Sequence, residues 1–101
     1  MIVYATVPPG AMVVTLAPAS VTLERIARLA KSGIVVSLGH SDASAEEAGS
    51  VFGAGASAVT HLYNAMSQLS SRAPGVVGAA LAETRIVCGL IADGEHAHPA
   101  A

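Results

Sequence analysis

The chain has 101 residues, of which 52% are hydrophobic and 12% charged, and its formal net charge is −2. An independent domain usually carries about a quarter charged residues, so we expect one partial domain whose surface is largely covered by other protein. Five lysine and arginine residues argue against a nucleic-acid partner, and the absence of an apolar run near 18 residues argues against a membrane span.

The first part of the chain predicts a lead-in, a strand and a helix. Residues 1–11 carry no basic segment before their apolar residues, so we expect no secretory signal and a cytoplasmic location. Residues 12–16 predict a strand that Pro18 ends, because proline cannot donate to a β ladder. A helix is expected from near Ser20 to a C-cap at Gly33. Its predicted apolar face comprises Leu23, Ile26, Ala27 and Ala30.

The middle of the chain predicts a second strand and helix and a third strand. Residues 34–38 are apolar at four of five positions without alternation, which is typical of a central strand buried on both faces. Ser44 and Glu47 form a capping box for a helix that Gly53 and Gly55 end. Residues 57–60 predict the third strand.

The remaining segments predict a long loop, a short helix and a fourth strand. Residues 64–75 are polar and form a longer connection than usual, which favours a functional loop. Residues 76–83 predict a helix and residues 86–92 a strand ended by a turn at Asp93. Cys88 lies within this apolar run, so we expect a buried small hydrophobic side chain rather than a catalytic thiol.

This order predicts an α/β fold with four successive βα units and a parallel sheet. Such a sheet is either part of a (β/α)₈ barrel or an open, doubly wound sheet. No Gly-x-Gly-x-x-Gly sequence follows the first strand, which counts against a nucleotide-binding domain.

Two histidines follow consecutive predicted strands and are the principal candidates for chemistry. Since parallel strands end at one edge of the sheet, His40 and His61 are expected to meet there. Two neutral imidazoles could bind one Zn²⁺ or similar ion at about 2.0–2.1 Å, with a carboxylate and a water completing the shell. The alternative is that each is a hydrogen-bonded structural histidine.

Four further candidates lie in loops, and each has a simpler interpretation. Asp93 precedes Gly94 and is explained by turn chemistry alone. His96 and His98 are equally compatible with solvated loop residues. Arg72, in the long loop, is suited to holding an anionic group but also to a surface ion pair.

Four motifs in order carry a family resemblance. They are residues 39–44 (GHSDAS), 60–66 (THLYNAM), 72–78 (RAPGVVG) and 91–99 (IADGEHAHP). Together they closely resemble the N-acetylglucosamine-6-phosphate deacetylases of the amidohydrolase superfamily. The resemblance implies a metal-dependent (β/α)₈ barrel, of which this chain is similar to strands four to seven.

The resemblance also implies roles for individual residues. His40 and His61 match ligands of one divalent ion, expected to be Zn²⁺, with Fe, Co or Ni as alternatives. The Asn64 and Ala65 pair matches a segment that contacts the sugar phosphate. Arg72 and His96 match residues that hold the phosphate, partly across the interface of a homodimer. His98 receives no role.

Two functional residues of that family have no counterpart in this chain. The metal-binding glutamate belongs to a His-Leu-Glu-Gly-Pro-like segment that does not occur here, and the catalytic aspartate lies on the last barrel strand, beyond Ala101. We therefore expect part of an enzyme that hydrolyses the acetamide of N-acetylglucosamine-6-phosphate, with little or no activity in the isolated chain. The rival hypothesis is a non-catalytic half barrel that pairs with itself or with a complementing chain.

Overall fold

A computed structural model describes residues 10–101, which form four strands and three helices. Residues 1–9 of the predicted lead-in lie outside the described part of the chain. Strands and helices alternate, apart from a 3₁₀ turn after the first strand, so the predicted α/β class is confirmed. The elements are β1 (Val13–Leu16), a 3₁₀ turn (Pro18–Ser20), α1 (Leu23–Lys31), β2 (Val35–Leu38), α2 (Ala45–Ala54), β3 (Ala58–Val59), α3 (Gly75–Ala82) and β4 (Val87–Cys88).

The four strands form one parallel sheet in the order β1-β2-β3-β4. Strand β2 is central, as predicted, and Val36, Ser37 and Leu38 are all buried. The register places Leu38 beside Leu16 on one side and Val59 on the other. This lateral row continues to Cys88, whose thiol is fully buried as expected, and the burial raises its pKa.

The strand order is compatible with part of a (β/α)₈ barrel. Helix α2 contacts both α1 and α3, so successive helices form one layer beside the sheet. A doubly wound sheet reverses its strand order at the crevice that binds nucleotides, and the described strands show no such reversal. The order therefore disfavours the nucleotide-binding hypothesis.

Helix α1 differs from its prediction at its start and along its apolar face. It begins at Leu23 rather than near Ser20, because the chain after Pro18 first makes a 3₁₀ turn and Thr22 then caps the helix. The Thr22 hydroxyl accepts from the Arg25 main-chain N–H at 3.3 Å. Ile26 is buried, but Leu23 is 47% exposed, so the predicted apolar face was wrong at the first turn. Ala27 of that face is also exposed, and Leu29 packs against the core instead.

A glycine ends each of the first two helices, as predicted. Gly33 has φ +84° and follows the last turn of α1, where the Ile34 N–H donates to the Leu29 carbonyl. Gly55, with φ +128°, ends α2, whereas Gly53 lies inside that helix. The prediction that both glycines stop α2 was therefore wrong for Gly53, because a single left-handed residue is enough to end it.

The later strands are shorter than predicted. Strand β4 covers Val87–Cys88 instead of residues 86–92, because after Cys88 the chain leaves the ladder to bond the loop that follows β3. Leu90 and Ile91 are each 39% exposed at this edge of the sheet. At the opposite edge, Met12 and Val13 are exposed. No helix within residues 10–101 has the length and apolar character to cross a membrane.

Candidate metal and substrate site

His40 and His61 lie side by side at the carboxyl edge of the sheet. Leu38 and Val59 are paired in the register of β2 and β3, and each histidine comes two residues after one of them. The sheet therefore places both histidines at the same level. The Nδ1 atom of His40 lies 3.1 Å from the Nε2 atom of His61. Their ring centroids are 4.6 Å apart with planes at 87°. The predicted convergence of the two side chains is confirmed.

The surroundings of His61 fix which ring nitrogen carries a proton. Its Nδ1 lies 2.9 Å from the main-chain oxygen of Asn64, and because a carbonyl can only accept, Nδ1–H is the donor. In the neutral tautomer with this proton, the Nε2 lone pair faces His40. Zinc-bound histidines typically have this arrangement, with the second nitrogen held by a carbonyl or carboxylate.

The two nitrogens fit a partial ligand set for a metal ion. Their separation of 3.1 Å is less than twice a zinc–nitrogen bond of about 2.0–2.1 Å, so one ion can contact both. Within residues 10–101, no group of three histidine, cysteine, aspartate or glutamate side chains could hold a metal. The described part of the chain therefore supplies two converging ligand atoms, and metal ligation itself stays a prediction.

The backbone around the histidines is in a strained conformation. His40, His61, Tyr63 and Ala65 have φ values of 48°, 32°, 78° and 52°, and they are the non-glycine residues with positive φ in the described chain. Left-handed backbone costs an ordinary residue roughly 1–2 kcal/mol. Such strain persists where surrounding contacts determine the conformation, which is common at functional sites.

The residue before His40 is closely packed. A Cβ on Gly39 would lie 2.5 Å from the Thr60 Cγ2 atom and 3.1 Å from the Thr15 Cγ2 atom, so the two threonine methyl groups flank a position that only glycine fits. Beyond His40, the Ser41 N–H donates to the Ala65 carbonyl at 3.0 Å. The loops after β2 and β3 are thus joined directly beside the histidine pair.

An open cleft of about 310 Å³ lies against these two loops. Ala65, a predicted substrate-contact residue, is exposed and lines it. The cleft is lined by His40, Ser41, Asp42, Ala65, Met66 and Ser67. Its size and its position beside the histidine pair suit a small polar substrate.

Asn64 is not among the residues that line the cleft, and it is half-buried. Its side-chain Nδ2 donates to the main-chain oxygens of Leu62, at 3.3 Å, and His96, at 2.9 Å. The structure therefore brings together the segments of three predicted site residues, namely His61, Asn64 and His96.

Asp93 and His96 form a compact turn after β4. The Asp93 Oδ1 atom accepts from the main-chain N–H groups of His96 and Glu95, both at 2.8 Å, which confirms its turn role. Its Oδ2 atom is 2.6 Å from the His96 Nδ1 atom. The main-chain bonds, followed by the imidazole bond, lower the pKa of this carboxyl from 3.8 to about 2. The carboxylate thus fixes the orientation of His96, a function that sequence reasoning missed.

Arg72 lies apart from this group. It is exposed in the loop between β3 and α3, and within the described residues no ion pair or side-chain hydrogen bond holds it. His98, which received no predicted role, accepts from the Ala100 N–H at 3.0 Å. No contact within the described residues tests the phosphate-binding role of Arg72, which stays a prediction.

Ser67 is an organising residue that no sequence signal indicated. Its hydroxyl donates to the Ala43 carbonyl at 2.6 Å and accepts from the Val76 N–H at 2.8 Å. It therefore connects the loop after β2 to the first turn of α3. A serine in a polar loop is too common for sequence alone to reveal such a link.

Comparison with known proteins identifies the chain's relatives. An N-acetylgalactosamine-6-phosphate deacetylase from a Shewanella species is 56% identical over 90 residues, which are 89% of this chain and 23% of that protein. The chain is homologous to a segment of the amino-sugar-6-phosphate deacetylases. An N-acetylglucosamine-6-phosphate deacetylase from Bacillus subtilis is 49% identical over 90 residues, with 88% and 23% covered. No family model matches the chain.

Solved structures of deacetylases resemble this segment in fold as well. The N-acetylglucosamine-6-phosphate deacetylase of Pasteurella multocida superposes with a TM-score of 0.80 at 46% identity, covering 85% of this chain and 23% of that one. A variant of the Mycobacterium smegmatis enzyme in complex with N-acetyl-D-glucosamine-6-phosphate gives 0.82 at 37% identity, covering 87% and 23%. The family resemblance predicted from the four motifs is confirmed, and the chain spans about a quarter of the length of these relatives.

Proposed function

We propose that this chain forms part of the active site of a metal-dependent deacetylase acting on N-acetylated amino-sugar 6-phosphates. The observation that carries the proposal is the convergence of the His40 Nδ1 and His61 Nε2 atoms at 3.1 Å beside an open cleft. Its support is the homology to deacetylases of known structure. The relatives carry both glucosamine and galactosamine names, so the proposed substrate is N-acetylglucosamine-6-phosphate or its 4-epimer.

The reaction is hydrolysis of an acetamide. Water adds to the carbonyl carbon, the C–N bond breaks, and the departing nitrogen takes a proton, which gives acetate and the amino sugar phosphate. A divalent ion held in part by His40 and His61 would supply Lewis acidity and would lower the pKa of a bound water from about 15.7 toward 7.

The chain's own residues serve binding and orientation in this scheme. His61, held by the Asn64 carbonyl, presents its Nε2 lone pair, and His40 provides the neighbouring Nδ1. His96 is held by Asp93 through Nδ1, so its Nε2 atom faces away from the carboxylate, and in the imidazolium form Nε2–H would donate to a phosphate oxygen. Arg72, exposed in the loop between β3 and α3, would supply positive charge for the phosphate.

A chimera provides the direct test of this function. The homologous segment of the Bacillus subtilis deacetylase is replaced by this chain, and acetate release is measured with both epimeric substrates. We expect metal-dependent turnover that falls at least about 100-fold in His40→Ala and His61→Ala, while the control Gly49→Ala retains it. Full activity in either histidine variant would overturn the proposal. The isolated chain is expected to show little or no turnover, because its described residues provide no third metal ligand at the histidine pair.

A second candidate function is a non-catalytic half barrel that pairs with a second copy. The observation favouring it is apolar exposure at both edges of the sheet, by Met12 and Val13 on one side and Leu90 and Ile91 on the other. A stable dimer in sedimentation experiments, combined with no metal uptake, would favour this function. A metal-binding chain that stays monomeric would exclude it. Closure of the barrel and formation of a homodimer by the complete enzyme are parts of the first proposal, the metal-dependent deacetylase.

A further inference from the structure

Asn64 occupies a point where two histidine-bearing loops meet. Its main-chain N–H donates to the His61 carbonyl at 2.9 Å, and its own carbonyl accepts from His61 Nδ1–H at the same distance. Its side-chain Nδ2 donates to the carbonyls of Leu62 and His96. His96 is 32 residues away in sequence, so one residue joins the loop after β3 to the turn after β4.

The reciprocal bonds between Asn64 and His61 determine the state of the imidazole. They hold the ring with Nδ1 protonated and leave Nε2 as the atom facing His40. This state depends on where the Asn64 carbonyl points, because a peptide rotation would remove the acceptor from Nδ1–H. His61 and Tyr63 have positive φ, so the turn needs outside contacts to keep this shape.

The side-chain amide of Asn64 supplies one such contact, to the His96 carbonyl, and also bonds Leu62 inside the turn. Each of its two N–H donors has a carbonyl partner, at 3.3 Å on Leu62 and 2.9 Å on His96. A primary amide has two N–H donors, so none is left for a phosphate oxygen. Its remaining polar atom, Oδ1, is an acceptor and cannot bind an anionic oxygen. The side chain is therefore suited to holding the two loops rather than to contacting the substrate.

We propose that Asn64 is a positioning residue whose amide joins the His61 and His96 loops and thereby keeps the His61 Nε2 lone pair directed toward His40. This inference rests on the proposed metal site and adds a residue that acts through His61. It links the orientation of a metal-binding nitrogen to the turn that presents His96.

The test compares Asn64→Ala with Gln68→Ala in the full chain. Gln68 is a matched control, since its amide lies in the same loop and also donates to two carbonyls, those of Tyr63 and Met66. The tautomer of His61 is measured from ¹⁵N shifts of the imidazole without metal. Zn²⁺ affinity is measured by calorimetry, and the unfolding midpoint is recorded for both variants.

We expect Asn64→Ala to lose the single Nδ1–H tautomer of His61 and to weaken Zn²⁺ binding by about 10-fold or more, whereas Gln68→Ala keeps both. Equal effects of the two variants, or a wild-type tautomer in Asn64→Ala, would overturn the inference. If the alanine variant unfolds, Asn64→Asp keeps the side-chain size while removing both donors, and the same tautomer change is expected.

Failure of the metal site itself gives a different result. If wild-type Zn²⁺ binding is insensitive to His40→Ala and His61→Ala, the proposed function fails whatever Asn64 does. If both histidines are required but Asn64→Ala binds like wild type, only the role of Asn64 fails.

Discussion

The helix-facing core and the carboxyl edge of the sheet are built by different means. In the core, apolar side chains such as Leu38 and Val59 lie in register and are almost completely buried. At the edge two residues further on, His40 and His61 have left-handed backbone and polar partners. The buried strands therefore supply stability, whereas the edge maintains a strained arrangement through hydrogen bonds between loops.

The largest expected effect concerns the core. Leu38→Ala removes a fully buried side chain from the central strand, and such substitutions cost about 2–5 kcal/mol in the free energy of unfolding. Urea denaturation measures the loss. Val13→Ala is the control, because Val13 is 46% exposed and should change stability by less than about 0.5 kcal/mol. Similar losses in both variants would contradict the proposed division between core and edge.

A smaller effect is expected at the boundary between the two regions. Gly39→Ala forces a Cβ against the methyl groups of Thr60 and Thr15, and such overpacking costs about 1–3 kcal/mol. Gly49→Ala provides the matched control, since its Cβ meets nothing within 4 Å and alanine favours the helix by about 0.5–1 kcal/mol. Thermal unfolding should therefore move in opposite directions, and stabilisation by Gly39→Ala would disprove close packing at this position.

Within the edge, relief of strain should stabilise the chain slightly. Ala65 is exposed with φ 52°, so Ala65→Gly removes a left-handed penalty of roughly 1–2 kcal/mol and adds about 0.4–1 kcal/mol of unfolded-state entropy. The net expectation is a small rise in the unfolding midpoint. Ala27→Gly, in the exposed face of α1, should instead lower stability by about 1 kcal/mol. A lower midpoint in Ala65→Gly would show that the edge is not strained there.

The smallest effect is a local response to acid in the turn after β4. The pKa of Asp93 is lowered from 3.8 to about 2, so its contribution is present above pH 4 and is lost as the pH falls toward 2. The amide shifts of Glu95 and His96 should follow this titration in NMR spectra. Asp93→Asn should abolish the transition in those signals, and its persistence would assign the titration to another group.

Local patterns in the sequence predicted the parts of the fold that local chemistry determines. The lack of alternation in residues 34–38 predicted a central strand, and Gly33 was recognised as a helix end. The start of α1 at Leu23 was not predicted, because both Ser20 and Thr22 are suitable caps and only the 3₁₀ turn distinguishes them. Strand β4 was predicted too long, because strand length depends on how far the neighbouring strand pairs.

The meeting of the two histidines was predicted from the sequence, but the contacts that support them were not. Two strand ends were sufficient to bring His40 and His61 together. The roles of Asp93 and Ser67 depend on loop conformations that no periodicity encodes. The amide of Asn64 reaches a carbonyl 32 residues away, and only the tertiary structure reveals such a contact.

The most direct test of the central claim is a double-mutant cycle on Zn²⁺ affinity with His40→Ala, His61→Ala and the double variant. If both nitrogens bind one ion, each single variant should lose at least about tenfold in affinity, and the double variant should lose little more than either. Additive losses, or wild-type affinity in either single variant, would contradict a shared ion at the His40 and His61 pair.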